Sequence, residues 1–437
     1  MFKTFIDAFK QKDLRKKILI TIGLCFLFVL GTWIPCPGID LNAFKVSIEG
    51  QSFLSLLSSV SGGALANGAI LALGVGPYIS SSIIIQLLTI AFPRLQAISK
   101  QGEEGRKKIA KYTKWCALIL AIAQAIGIVV AYSAHLQANL LFGMASNWLI
   151  GTFVVIILVA GSMFTYFLGE KITEQGIGNG MSLLIFIGIL STAVTSFYNA
   201  FANPDTGIIA AGNVDGLWSV LLFVVIMILI FGLIVLFDLA ERKVPVQYAK
   251  QIKGRKMYGG QSSNIPIRLM GVGVMPIIFA SSLLTFPQLI MSIFWPESAA
   301  NRWYSQHLGT QSWLYFVVMG LLILAFAFFY AKITFNAEDT SKQIQANGGF
   351  IQGIRPGKPT AEYLNKISNR ITLFGAIFLA ALTVIPSLIF RIDALQSTSL
   401  INAFASTGMI IVVSVALEVD KQVQAQMLMK SYKGFLK

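Results

Sequence analysis

The sequence predicts an all-α membrane protein with ten transmembrane helices. Three observations predict it: ten uncharged apolar runs, a chain too poor in charge to clothe a soluble surface, and a one-sided distribution of basic residues. Of its 437 residues 12% are charged and 55% hydrophobic, with a mean hydropathy of +0.72. A soluble domain carries about 25% charged residues, so most of this surface is expected to face lipid.

The elements follow in order. The opening "MFKTFIDAFKQKDLRKK" spaces Phe2, Phe5, Ile6 and Phe9 as on one helix face, between charges. Residues 1–17 are therefore expected to lie on the membrane as an amphipathic helix. No small-residue cleavage site closes the apolar run that follows, so it is not expected to be a cleaved signal peptide. Runs able to cross about 30 Å of hydrocarbon are Ile18–Pro37, Val75–Ala91, Trp115–Tyr132, Trp148–Leu168, Met181–Phe197, Leu217–Phe237, Leu269–Phe294, Trp313–Tyr330, Ile371–Phe390 and Leu400–Leu417. Six of the seven tryptophans sit at run ends, where an aromatic belt places them.

Charge tests the topology. With the N terminus inside, 31 of the 34 Lys and Arg fall on the inner side, and Lys45, Arg302 and Arg391 outside. The acids divide 13 inside and 6 outside, giving +18 against −3. This is the positive-inside pattern for ten spans with both termini in the cytoplasm. It accounts for the net charge of +15 without a nucleic-acid role for the whole chain. The expected organisation is an N-terminal half over 18–200, a C-terminal half over 201–418 and a cytoplasmic tail over 419–437.

One stretch resists a simple span. Gly50 to Pro93 is 44 residues without a charge. Two spans there would put "RKKIAKYTK" on the outer side, so parity demands one span and one piece that enters without crossing. The breaks are Gly62, Gly63, Gly74, Gly76 and Pro77. Irregular chain at membrane depth survives only where protein or water surrounds it, so this piece is expected to line or fill a cavity. An internal repeat is also indicated. The second span of each five-span half opens on Pro and small residues, "GPYISSSIIIQLL" and "MPIIFASSLLTFP". An odd-numbered repeat makes the second half inverted.

No Asp, Glu, Lys, Arg or His falls in the middle of a run. Ion coupling needs an intramembrane ionisable group, and an intramembrane protease needs a catalytic set, so a non-enzyme is expected. Cys25, Cys36 and Cys116 are scattered and His135 and His307 lie far apart, which does not make a metal site. No cofactor is expected. Ser80, Ser81, Ser82, Gln86, Gln124, Ser281 and Ser282 are the polar candidates within runs, either ordinary interhelical hydrogen-bonding groups or members of a seam that opens.

The inner segments 239–268 and 334–370 are long and basic, which suits a large partner with an acidic or RNA surface. Within the second, "NGGFIQGIRPGKPT" has the look of a phosphate loop. Only three residues separate Gly353 from Gly357-Lys358, Pro359 stands where Ser or Thr belongs, and Pro356 and Pro359 remove two N–H donors. No strand is expected before it. The stretch reads as a stiff hairpin tip presenting Arg355.

The stretches "SGGALANGAILALGVGPYISSSIIIQLL", "GEEGRKKIAKYT", "GEKITEQGIGNGMSLLIF", "VPVQYAKQIKGRKMYGGQSSNIPIRL" and "GIRPGKPTAEYL" resemble the bacterial SecY family, the channel subunits of the Sec protein translocase, over essentially the whole chain. The resemblance implies two inverted five-helix halves in the plasma membrane, enclosing a passive pore for unfolded, signal-sequence-bearing chains. It implies a plug half-helix over Ser61, Gly62, Gly63, Ala64, Leu65, Ala66, Asn67, Gly68, Ala69, Ile70 and Leu71. It places an aliphatic pore ring on Val75, Ile79, Met181, Ile185, Ile278 and Ile411, where Val75 and Met181 depart from the isoleucine of many relatives. A lateral gate to lipid would fall on Ser80, Gln86 and Gln124 facing Ser281 and Ser282. Arg255, Lys256 and Arg355 would dock the SecA ATPase or the ribosome, including ribosomal RNA, and the small membrane subunits SecE and SecG would complete the complex. The alternatives are a lipid or small-molecule exporter, which needs a polar central cavity, and a YidC-like insertase, which has fewer spans and a charged groove.

Overall fold

The computed structural model describes residues 7–39, 58, 61–99, 101–131, 147–202, 214–248, 251–253, 256–258, 262–269, 273–295, 298–309, 312–389 and 406–435. The chain divides into two compact bodies, residues 1–222, 282–315 and 392–437 in one and 223–281 and 316–391 in the other.

The first body is helical. Its elements are α1 (Lys12–Trp33), α2 (Gly76–Ala91), α3 (Pro93–Ser99), α4 (Glu103–Ala131), α5 (Asn147–Gln175) and α6 (Gly180–Ala202). Local chemistry sets their ends. Pro77 sits in the first turn of α2, where its missing N–H costs nothing. Pro93 ends it, and α3 departs at 107°. Glu103 and Glu104 open α4, favourable at the positive end of a helix dipole. Asn179 Oδ1 accepts from the amides of Met181 at 3.1 Å and Ser182 at 3.5 Å, capping α6. Ala117, Ala121 and Ala125 are fully buried along α4, and Ala125 lies with Ile150, Val154 and Leu158 of α5. Small residues let such helices approach closely.

The second body begins with α7 (Val214–Leu239), whose first residues belong to the first body, and continues through β1 (Glu241–Tyr248), β2 (Gln251–Lys253), β3 (Lys256–Tyr258) and β4 (Ser262–Arg268). Next comes α8 (Met275–Phe294), which passes from the second body to the first, then α9 (Ala299–His307) and α10 (Trp313–Thr334). The chain continues through α11 (Ala337–Ala346), β5 (Gly349–Phe350) and α12 (Lys358–Ile389), and ends with α13 (Ser406–Phe435), which returns to the first body.

Each of the ten expected runs overlaps one of these helices. Six described helices are long and apolar enough to cross a membrane: Glu103–Val130, Trp148–Gln175, Gly180–Tyr198, Leu221–Leu239, Trp313–Ala346 and Lys358–Pro386; the bent pair α2–α3 makes a seventh. The chain is a multi-pass membrane protein.

One expectation is corrected here. The fold is not all-α: β4, β1 and β5 form a three-stranded antiparallel sheet in that order, and β2 pairs with β3. Alternation of buried Val244 and Val246 with exposed neighbours carries β1, the period that makes a half-buried strand. In the N-terminal segment Phe2, Phe5 and Ile6 lie outside the described residues and Phe9 is exposed, while Ala8, Leu14 and Ile18 are buried with Ile177 and with Val423 of α13.

The sheet has its own core. Val244, Val246, Ile267, Ala337, Ile344, Ile351 and Leu364 cluster beneath it. A Val246→Asp variant should therefore unfold this platform, since an unpaired buried charge costs about 3–5 kcal/mol. Limited trypsinolysis in detergent should then cut within 241–268 and 337–358 while the apolar helices stay intact; an unchanged pattern would show that the platform does not depend on this core.

Candidate functional site

The stretch between α1 and α2 has irregular backbone beside apolar helices. Residues 61–75 form successive turns rather than the expected half-helix. Positive φ at Gly62 (75°), Gly63 (79°), Gly68 (54°) and Gly74 (51°) interrupts any helix there. The polar groups are satisfied by neighbours. The Cys36 amide donates to the Gly68 carbonyl at 2.8 Å and the Ile70 amide to the Ile34 carbonyl at 3.0 Å, with Pro35 and Ala69 bridged antiparallel. Ser58 Oγ accepts from the Ala66 amide at 3.1 Å, Asn67 Nδ2 donates to the Thr32 carbonyl at 3.5 Å, and Ser162 Oγ donates to the Gly74 carbonyl at 3.4 Å.

The seat is lined by glycine. A Cβ at Gly62 would stand 3.1 Å from Cα of Gly188 on α6 and 3.6 Å from Cγ2 of Thr32. Side chains at Gly31 of α1 and Gly161 of α5 would strike Leu71 and the Ile70 carbonyl. Leu65, Ala72 and Leu73 then bury against Cys36, Ala125, Ile128, Ile150, Val154 and Leu158. Sequence reasoning missed Gly31, Gly161, Gly188 and Thr32; the signal available was an isolated glycine within an apolar helix, which marks close backbone approach.

Of the six aliphatic residues implied for the ring, five lie in the first body. Val75 caps α2 and is buried, Ile79 is half-buried one turn on, and Ile185 and Ile411 are buried on α6 and α13. These two helices pack on each other, with Gly408 against Ile189. Met181 lies one turn before Ile185, its sulfur over Gly169 of α5. Ile278, half-buried on α8, belongs to the second body.

The polar candidates divide. Ser81 is fully buried and its Oγ is shared between the Tyr78 carbonyl of its own helix at 2.9 Å and the Thr113 carbonyl of α4 at 3.1 Å, so it links two helices. Gln86 Nε2 donates to Ser82 Oγ at 3.1 Å, and Ser281 Oγ donates to the Ile278 carbonyl of its own helix at 2.9 Å. Ser80 and Ser282 are half-buried, and Gln124 is buried.

The two long basic segments form one platform. Gln247 and Tyr248 of β1 pair with Phe350 and Gly349 of β5, so a strand does precede "GIRPGK", contrary to expectation. Its partner lies about a hundred residues earlier, which local pattern does not reveal. The stretch is accordingly a strand–turn–helix connection rather than a hairpin tip. Ser341 Oγ donates to the Gly357 carbonyl at 2.7 Å and Thr360 Oγ1 to the Arg355 carbonyl at 2.8 Å. Gly353 and Gly357 take positive φ of 78° and 98°. This rigid turn leaves Arg355 exposed. Lys256 opens β3, which pairs with β2; Arg255 lies outside the described residues.

The SecY family model matches residues 69–419. The chain is 38% identical to the protein translocase subunit SecY of Streptomyces scabiei over the whole of both chains, and equally to that of Mycobacterium tuberculosis. Its fold is similar to a solved structure of a protein-conducting channel, with a TM-score of 0.62 at 18% identity, covering 94% of this chain and 92% of that one. It is also similar to Sec61 in a canine ribosome–channel complex, with a TM-score of 0.59 at 16% identity over 94% and 92% of the chains. A family match over most of the chain and relatives aligned from end to end show that this chain belongs to the SecY family.

Proposed function

We propose that this chain is the pore subunit of a bacterial Sec translocase, a non-catalytic channel that passes unfolded, signal-sequence-bearing polypeptides across the plasma membrane. The observation that carries the reading is the glycine-seated segment 61–74, an irregular plug fixed by few hydrogen bonds among apolar helices. In this reading ten helices cross the membrane as two inverted halves, 18–200 and 201–418, with both termini and the basic platform in the cytoplasm. The relatives' name, translocase subunit SecY, supports the assignment.

The chemistry suits the task. Val75, Ile79, Met181, Ile185, Ile278 and Ile411 offer a sliding chain neither charge nor directional hydrogen bonds, so its sequence does not matter. A dry aliphatic constriction opposes ions by dewetting, and the segment 61–71 closes it at rest. Ser80, Gln86 and Gln124, with Ser281 and Ser282, belong to a lateral seam through which signal sequences and membrane segments reach lipid. SecE and SecG complete the assembly. Energy comes from outside the chain: SecA or the ribosome docks on Arg255, Lys256 and Arg355.

Two experiments test this. Gly62→Val combines a strained positive φ with a crowded contact to Gly188, at about 1–2 kcal/mol from conformation alone. It should unseat the plug and raise resting ion conductance in planar bilayers several-fold; wild-type conductance would remove segment 61–71 from the seal. Arg355→Glu should lower SecA-driven export in reconstituted vesicles at least tenfold with the channel still folded, and wild-type export would remove Arg355 from the docking surface.

A further inference from the structure

The second body holds a cavity of about 330 Å³ whose lining does not include the Arg355 turn. It lies where the sheet meets the helices. Arg268 at the end of β4, the following Leu269, Thr334 at the end of α10, and Ser368, Ile371 and Thr372 of α12 line it. Leu269 and Ile371 are the first residues of the expected seventh and ninth spans, so the cavity straddles the boundary between the polar platform and the apolar helices.

Three features of its wall are unused by the fold. Arg268 is exposed and forms no ion pair among the described residues. Its cross-strand neighbour Glu241 is bonded to Lys243 at 3.4 Å. Ser368 and Thr372 are 8% and 7% exposed, yet their hydroxyls bond to no described residue. Two hydroxyls elsewhere in α10 and α12 bond back to their own backbone, Thr334 to Tyr330 and Thr383 to Leu379. Both hydroxyl-bearing residues line one cavity with a cation at its wall, where their hydroxyls are free to donate to an acceptor from outside the chain.

We propose that this cavity holds the phosphate headgroup of an anionic membrane lipid. Arg268 meets the phosphate charge, Ser368 and Thr372 donate to its oxygens, and Leu269 and Ile371 pack against the start of an acyl chain. Inorganic phosphate shares the headgroup chemistry but gains nothing from those apolar residues, and it is not confined to the boundary at which the cavity lies.

The test uses the full chain in phosphatidylcholine nanodiscs doped with a phosphatidylglycerol probe that carries a photoactivatable diazirine beside the glycerol. Adducts mapped by peptide mass spectrometry should concentrate within 266–269 and 368–372. They should exceed those from an equivalent phosphatidylcholine probe and survive a large excess of inorganic phosphate. Arg268→Gln should reduce them about fivefold, the ratio for one cation at an anionic surface. The double variant Ser368→Ala/Thr372→Ala, which suits a helix interior, should reduce them independently and decides the matter if Arg268→Gln fails to fold. Equal labelling by both probes, or unchanged labelling in the folded variants, would overturn the proposal. Displacement by inorganic phosphate would also overturn it, leaving a site for free anions.

Discussion

A backbone that is neither helix nor closed barrel must find its hydrogen bonds within the protein when it sits at membrane depth. Residues 61–75 meet that demand with the end of α1. The exchange between Cys36 and Gly68 and between Ile70 and Ile34 is a minimal antiparallel pairing. It requires α1 to end in extended conformation at Ile34, and it requires Gly31, Gly161 and Gly188 to clear space on three surrounding helices. The seat is thus built from absences of side chain as much as from contacts.

Under the proposed reading the same arrangement makes the segment releasable. Each hydrogen bond contributes about 0.5–1.5 kcal/mol net, and no described ion pair anchors the segment. Burial of Leu65, Ala72 and Leu73 is non-directional, so an incoming apolar chain can replace it. A plug held by charge pairs at this depth would carry a desolvation penalty on opening. Small backbone bonds and aliphatic packing avoid that, at the cost of needing an external source of work. Under the proposed reading the platform meets that need by joining two distant basic segments through β1 and β5 into one rigid surface.

Legibility in the sequence followed the range of the physics involved. Apolar runs, the Gly62-Gly63 break and the prolines around Arg355 act locally, and each announced its element. The β1–β5 pairing did not, because Gln247 and Phe350 are joined only by the fold. Segment 61–71 was legible as a break in the apolar pattern, yet its positive-φ glycines make turns where a half-helix was expected. The clustering of Leu14 with Val423 from the far end of the chain was not legible, because only the fold joins them. Ser81 and Gln86 could be named as polar residues within an apolar run, but only the geometry shows that Ser81 reaches a neighbouring helix while Gln86 bonds Ser82 of its own.

The central claim is that a polypeptide passes where segment 61–71 now sits. The most direct measurement is site-specific photocrosslinking with a secretory precursor stalled in transit by a folded C-terminal domain. A photoreactive residue at Ile185, buried on α6, is compared with one at Val225, which is 55% exposed on α7. The account predicts precursor adducts at Ile185 that appear only with SecA and ATP, and none at Val225. Adducts at Val225 alone, or none at Ile185 while the precursor is demonstrably stalled, would contradict it.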